Sequence, residues 1–228
     1  MAERGSHPRV EDVTRIVLRP IASPLPLGFF AFGTGSILQS ALQFGLIPQA
    51  DTQNLALLFG VFVFPLELLA ALLAYFARES IGATILSIIA FSWLGTAIVT
   101  YVSAPDPTSP TIGFLYLAIA IILILLGAVG AIGKPLLATV MFLASFRYGL
   151  NGIYELTSSA GLQTASGIIG CLIFALSLYG GLALALEDAQ HRTVLPFGRR
   201  GEARDAIEGG LNDQVGPVAK EAGVRKQL

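Results

Sequence analysis

The chain has 228 residues, of which 54% are hydrophobic and 13% are charged, with a formal net charge of −1. A soluble domain carries about 25% charged residues, so this composition excludes an ordinary water-soluble fold. The mean hydropathy is +0.72, which favours lipid as the solvent of the chain. Charges are rare in the middle of the chain, where they are limited to Asp51, Glu67, Arg78, Glu79, Asp106, Lys134, Arg147 and Glu155. The composition predicts an all-α polytopic membrane protein.

A membrane-spanning helix needs about 20 predominantly apolar residues. Six stretches meet this requirement: residues 24–46, 55–76, 81–101, 111–132, 136–154 and 161–186. Turn-forming and polar residues separate them, and several of the linkers are very short. The pattern therefore predicts six transmembrane helices in which neighbours along the chain run antiparallel.

The basic residues indicate the orientation. Arginines occur before the first span, Arg78 follows the second, Lys134 follows the fourth, and further basic residues follow the sixth. The first, third and fifth loops contain neither lysine nor arginine. Because basic loops stay in the cytoplasm, we expect both termini there and a multi-pass protein of the inner (plasma) membrane.

The domain organisation follows from these boundaries. Residues 1–22 form a polar cytoplasmic arm without a cleaved signal peptide. Residues 23–187 form the six-helix transmembrane domain, and residues 188–228 form a cytoplasmic tail. The tail carries both charge signs and few large apolar residues, so we expect it to be mostly mobile, with a short helix near 202–208.

Two ionisable residues lie near the middle of predicted spans: Glu67, just after Pro65, and Arg147. An ionisable group at mid-bilayer costs at least about 2.5–3.5 kcal/mol on insertion scales, so it needs a partner or a wet cavity. Two hypotheses follow. Either Glu67 and Arg147 form a buried pair, or Arg147 faces a pore and attracts an anion.

The start of the first span, SPLPLGFFAFGTGS, contains Pro24, Pro26 and several glycines. Prolines at a helix start fix the backbone and leave amide groups free to point at a ligand. Glycines equally permit close helix packing, and the sequence leaves both interpretations open.

Signals for catalysis are lacking. The sequence shows no phosphate-binding loop, no metal-ligand cluster and no plausible nucleophile–base pair, and Cys171 is the lone cysteine. We therefore predict that the protein is not an enzyme and that it needs no metal, no cofactor and no nucleic-acid partner.

Three stretches resemble the acetate uptake transporter family, which includes succinate–acetate/proton symporters. SPLPLGFFAFG is similar to the family's Asn-Pro-Ala-Pro-Leu-Gly signature. The run IGAT…FSWLGTAI in the third span and HRTVLPFG after the sixth also resemble family segments. All three occur in order within a six-span chain of this size.

The resemblance implies a hexamer in membrane lipid whose protomers each pass small carboxylates together with protons. It places Phe32, Ile89 and Ala144 at an apolar constriction, with Ile89 where a tyrosine is usual and Ala144 where a leucine is usual. Tyr179 stands where the family also has tyrosine. The signature motif maps to Ser23, Pro24, Pro26, Leu27 and Gly28, with Ser23 in place of the family's asparagine.

The leading interpretation is a proton-coupled transporter or channel for small carboxylates similar to acetate or succinate. The alternatives are a channel for small neutral solutes such as urea, amides or ammonia, and a non-transporting membrane scaffold that signals through its tail. Hydroxyl groups that could line a pathway are those of Thr34, Ser36, Thr84, Ser92, Tyr148 and Tyr179. For any one of these hydroxyl groups a bond to its own helix backbone is the favoured interpretation, whereas the group as a whole, spread over several helices, is compatible with a polar lining.

Overall fold

The computed structural model describes residues 22–103 and 108–209. Nearly all of the predicted arm and the last part of the predicted tail, residues 210–228, lie outside this range. Within it, the helices are α1 (Leu25–Gln43), α2 (Gln49–Phe76), α3 (Ser80–Ser103), α4 (Pro110–Gly130), α5 (Pro135–Thr157), α6 (Ala160–Gln190) and α7 (Glu202–Glu208). The first six are long and apolar enough to cross a membrane, which confirms the predicted six-helix membrane fold.

Four helices, α2, α3, α5 and α6, are longer than the apolar pattern predicted, and α2 and α6 exceed it most. α2 begins with a 3₁₀ turn at Gln49–Asp51, six residues before the predicted span, and α6 continues to Gln190. Hydropathy detects only the part of a helix that faces lipid. The extra turns are polar and continue the same backbone hydrogen bonding beyond it.

The helix ends lie on two sides of the bundle. The terminal side holds the start of α1, the α2–α3 and α4–α5 turns and the end of α6, whereas the other three turns lie on the opposite side. Lys134 forms an ion pair with Glu79, which ties the two turns of the terminal side together. α5 and α6 end at Ser158 and His191, whose φ angles of 55° and 53° place them in the left-handed region that stops a helix.

Glycines bring helices into close contact. A Cβ atom on Gly152 of α5 would lie 2.9 Å from the carbonyl oxygen of Gly113 in α4, so the two backbones touch. α1 packs on α6 in a similar way, because a Cβ atom on Gly181 would lie 2.7 Å from the ring of Phe30. Close approach of this kind is how helices associate in lipid, where the hydrophobic effect does not drive them together.

α2 contains a π-helical segment at Phe59–Val63, directly before Pro65. Proline has no N–H, and its ring crowds the carbonyl four residues earlier, so the preceding turn widens. Leu55, Phe59, Val63 and Glu67 are all buried at intervals of four residues. In a regular α-helix four residues turn about 400°, so each interval of four exceeds a full turn by about 40° and moves the side chain around the helix. The wider turn keeps the four side chains on one face.

The chain after α6 folds back over the terminal side. In this post-α6 segment, residues 191–201, Phe197 is 2% exposed and meets the ring of Phe29 edge to face at 6.0 Å. Arg199 forms an ion pair with Glu187, and the amide of Arg200 donates to the carbonyl of Gly133 at 2.9 Å. The start of the predicted tail is therefore packed on the bundle, and α7 coincides with the predicted short helix.

Candidate functional site

Arg147 of α5 is buried, with 4% of its surface exposed. Its Nη2 donates to the carbonyl of Ser36 at 3.1 Å, to Oγ of Ser40 at 3.1 Å and to Oε1 of Gln43 at 3.3 Å, all on α1. Its Nε has no hydrogen-bond partner. Across the described residues, Arg147 forms no ion pair. The guanidinium is thus held by neutral acceptors and has no counter-anion.

Gly170 of α6 makes room for this guanidinium. A Cβ atom at position 170 would lie 2.5 Å from both Cζ and Nη2 of Arg147 and closer still to Oγ of Ser40. Real Cβ atoms do not come so close to other atoms, so any larger residue would displace the arginine. Three helices, α1, α5 and α6, therefore build the Arg147 site.

A network of uncharged polar side chains continues from Arg147 toward the opposite side of the bundle. Nε2 of Gln43 donates to Oδ1 of Asn151 at 2.7 Å and to Oγ of Ser166 at 3.1 Å. The hydroxyl of Ser166 also donates to Asn151. Because Gln43 contacts Arg147 through its oxygen and Asn151 through its nitrogen, it connects the guanidinium to the rest of the network.

A polar cavity of about 90 Å³ opens toward the opposite side. Its lining includes Gln39, Gln43, Thr96, Thr100, Tyr116, Asn151 and Glu155. Glu155 is the acidic member of this group, and its Oε2 accepts a hydrogen bond from the amide of Ser109 at 2.6 Å. Gln43 and Asn151 belong to both the cavity wall and the network, so the cavity leads to the Arg147 site.

An apolar cavity of about 20 Å³ lies nearer the terminal side, between α1, α3 and α5. Phe32 and Ile89, which the resemblance assigned to a constriction, both line it. Val140 and Met141 of α5 line it as well. Ala144, the third residue that the resemblance assigned to the constriction, is fully buried one turn of α5 after Val140 but does not line this cavity.

A thin buried layer separates the two cavities. On α1 the chain passes from Phe32, which lines the apolar cavity, through Ser36 to Gln39, which lines the polar cavity. On α3 the same order is Ile89, Ser92 and Thr96. The hydroxyl groups of Ser92 and Tyr148, the latter on α5, are hydrogen-bonded to each other in this layer, as are those of Thr96 and Tyr116 beside it, at 2.7 Å.

Glu67 of α2 is fully buried, and its Oε1 accepts a hydrogen bond from Nε1 of Trp93 at 3.3 Å. Its Oε2 has no hydrogen-bond partner. No ion pair joins Glu67 to Arg147, since the hydrogen bonds of Arg147 run to α1 and that of Glu67 runs to α3. Of the two hypotheses from the sequence, the structure therefore does not show the buried pair.

The other candidate residues occupy varied places. Tyr179 donates its hydroxyl to the carbonyl of Pro196 at 2.8 Å, in the post-α6 segment, and lines neither cavity described above. Thr34 and Thr84 bond to their own helix backbones, at 2.8 Å in each case. Their hydroxyl groups are thus already engaged, and so is that of Tyr179.

The motif at the start of α1 is mainly a packing element. Pro24 precedes the helix, and its carbonyl accepts from the amide of Gly28 at 3.2 Å. A Cβ atom on Gly28 would lie 2.8 Å from the side chain of Leu86. Ser23 is exposed, and Pro26 and Leu27 are partly buried in the first turn. Gly28 lines the apolar cavity, so this motif forms part of its wall.

Sequence reasoning missed several members of the site, namely Ser40, Gln43, Trp93, Asn151, Ser166 and Gly170. Their spacing does carry a signal. Ser36, Ser40 and Gln43 follow one another at intervals of four and three residues, as do Arg147 and Asn151 at four, which places each set on one helix face. A polar stripe of this kind in an apolar helix indicates a buried polar contact.

The fold and the buried polar site define a six-helix membrane protein in which a polar cavity leads to a buried arginine. A solved structure of similar fold is that of the bacterial acetate channel SatP, with a TM-score of 0.70 and 22% sequence identity over 78% of this chain and 99% of that chain. Neither the protein-family models nor the curated proteins give a match. The similarity covers nearly the whole of the SatP chain and shows that the two proteins share the six-helix fold.

Proposed function

We propose that the protein is a transporter or channel for small carboxylates, similar to acetate or succinate, and a member of the acetate uptake transporter family. The observation that carries this proposal is the buried guanidinium of Arg147, which has no counter-anion and is connected to a polar cavity. SatP, the solved structure of similar fold, is an acetate channel.

The chemistry of Arg147 supports an anionic substrate. Guanidinium groups bind carboxylates through charge-assisted and often bidentate hydrogen bonds. A buried charge without a partner is strongly unfavourable, so a carboxylate that arrives through the polar cavity compensates the arginine. The unpartnered Nε of Arg147 provides a further donor for such an anion.

The apolar cavity supports coupling to protons. Its described lining consists of apolar side chains and glycines, including Phe32, Ile89 and Met141. An ionised carboxylate would lose its hydration there without any compensating hydrogen bond, whereas a protonated acid is neutral and loses far less. We infer that the substrate crosses this region together with a proton.

The distribution of basic residues supports an inner-membrane location with the terminal side in the cytoplasm. Lys134 lies in a turn of that side, and Arg199 and Arg200 lie in the post-α6 segment that packs against it. Loops rich in Lys and Arg remain cytoplasmic. The family resemblance further supports a hexamer in which each protomer has its own pathway.

The test is uptake of labelled acetate, propionate and succinate into proteoliposomes, with and without an inward proton gradient. We expect saturable uptake that the gradient stimulates, and at least a tenfold lower rate for Arg147→Gln. Arg147→Lys keeps the charge but loses the planar donor arrangement, so it should retain part of the activity.

Two outcomes would overturn the proposal. If folded protein passes none of the three carboxylates, the function is wrong, and urea and ammonia become the next substrates to test. If Arg147→Gln leaves carboxylate uptake unchanged, the guanidinium is not the anion site. A truncation after residue 202 distinguishes a transporter from a scaffold that signals through its tail. It should leave uptake intact in a transporter, whereas it should abolish the signal of a scaffold.

A further inference from the structure

We propose that the carboxyl group of Glu67 binds a proton. Trp93 links the presence or absence of this proton to the residues that line the substrate pathway. The inference rests on the proposed function where it concerns transport, because the bound proton would be the one that moves with the carboxylate. The proton binding itself can be tested without any transport measurement.

The first argument is the surroundings of the carboxyl group. Glu67 is fully buried in the middle of a spanning helix, and Oε2 has no hydrogen-bond partner. A carboxylate in such a place is unfavourable unless it is paired or neutralised. The described residues provide no ion pair for it, so a proton on Oε2 is the remaining way to remove the charge.

The second argument concerns the groups that face Glu67. α1 carries no titratable side chain, and the titratable residue of α3 is Tyr101, which is 46% exposed. On α5, Arg147 and Tyr148 are engaged with Ser36 and Ser92 respectively. On α2 itself, Tyr75 is exposed and Asp51 lies at the other end of the helix. The proton on Glu67 is therefore not shared with a second acid or base.

The third argument is the connection to the pathway. Trp93 donates to Glu67 and directly follows Ser92, a member of the layer between the two cavities. The ring of Phe59, which lines the polar cavity, lies 4.8 Å from the ring of Trp93. A Cβ atom on Gly35, the neighbour of Ser36, would lie 2.7 Å from the Trp93 ring. Trp93 thus stands between the carboxyl group and the wall of the pathway.

The step involves only a proton. Oε2 of the ionised carboxylate takes up H⁺ from one side of the membrane and releases it to the other, while Oε1 keeps the hydrogen bond from Trp93. The ionised form attracts the indole N–H more strongly than the neutral form does. The position of the indole ring therefore changes with the proton, and the layer beside it is affected.

Trp93 is the sole tryptophan of the chain, so its fluorescence reports on this contact. We would record the emission of the purified full chain from about pH 4 to pH 9, a range over which buried glutamate side chains titrate in proteins. Wild type should show a transition that is lost in Glu67→Gln, which keeps an oxygen for the indole N–H. Glu208→Gln, a matched change on the exposed α7, should retain the transition.

An identical fluorescence profile for wild type and Glu67→Gln would overturn the proton site. If Glu67→Gln does not fold, Glu67→Met, which is similar in length and apolar, replaces it. In proteoliposomes, Glu67→Gln should reduce the stimulation of carboxylate uptake by a proton gradient severalfold relative to Glu208→Gln. Full retention of that stimulation would overturn the link to transport. A wild type that passes no carboxylate would contradict the proposed function and leave the fluorescence test valid.

Discussion

Gly170 and the guanidinium of Arg147 are in direct contact across the α5–α6 interface, and a Cβ atom at position 170 would stand 2.5 Å from Cζ of the arginine. The glycine therefore determines where the buried charge can lie. It couples the position of the one arginine in the spans to the packing of α6 against α1.

Gly170→Ala should displace Arg147 from Ser40 and reduce carboxylate uptake at least tenfold, because the guanidinium and a new methyl group cannot both fit. Gly149→Ala on α5 is the matched control, since the atom closest to its Cβ would be 4.0 Å away. Uptake into proteoliposomes by both variants measures the effect. Equal rates for the two would show that the position of Arg147 does not matter for transport.

Gly152→Ala should lower the unfolding temperature in detergent, because its methyl group would lie 2.8 Å from Leu117 and 2.9 Å from the carbonyl of Gly113. Overpacking of this kind costs about 1–3 kcal/mol. Gly149→Ala, on the same helix, should be neutral or stabilising by up to about 1 kcal/mol, because alanine is the better helix former. A Gly152→Ala protein as stable as Gly149→Ala would contradict the close contact of α4 and α5.

Phe32→Ala should widen the apolar cavity and raise succinate uptake relative to acetate uptake, because Phe32 and Ile89 border the same narrow space. We expect the ratio of the two rates to change severalfold. The control is Phe114→Ala on α4, where the ring is 67% exposed on the outer surface of the bundle. An unchanged ratio in Phe32→Ala would place the selective step elsewhere.

Phe197→Ala should release the post-α6 segment, since the buried ring is its apolar contact with Phe29. Replacement of a fully buried phenylalanine by alanine lowers the free energy of unfolding by about 3–5 kcal/mol. Tryptic cleavage after Arg199 and Arg200, followed by mass spectrometry, should accelerate severalfold. Val194→Ala, at a half-exposed site in the same segment, should cleave like wild type, and equal cleavage of all three proteins would contradict a packed segment.

The sequence predicts the membrane fold well because lipid imposes simple rules on length and polarity. The six spans, and the unusual places of Glu67 and Arg147, follow from those rules alone. The partners of these two residues do not, because they depend on how each helix is rotated about its axis. The sequence allowed Glu67 and Arg147 to form a pair, yet one contacts Trp93 and the other contacts Ser36.

The sequence also did not predict that the post-α6 segment packs on the bundle. Its sequence is polar on average, but Phe197 is buried by helices that lie far away in the chain. Tyr179 shows the same difficulty. Its match to a family tyrosine suggested the pathway, whereas the fold directs its hydroxyl to the backbone of Pro196.

Because α2 contains the π-helical segment Phe59–Val63, the exact number of residues before Glu67 determines which face of the helix this side chain occupies. Such a segment is equivalent to one residue inserted into a regular helix. Deletion of a single residue there would rotate everything downstream by about 100° relative to the helix start. Glu67 would then turn away from Trp93 toward a neighbouring face, although no other side chain had changed. The register of this helix is thus a constraint that counting apolar residues does not reveal.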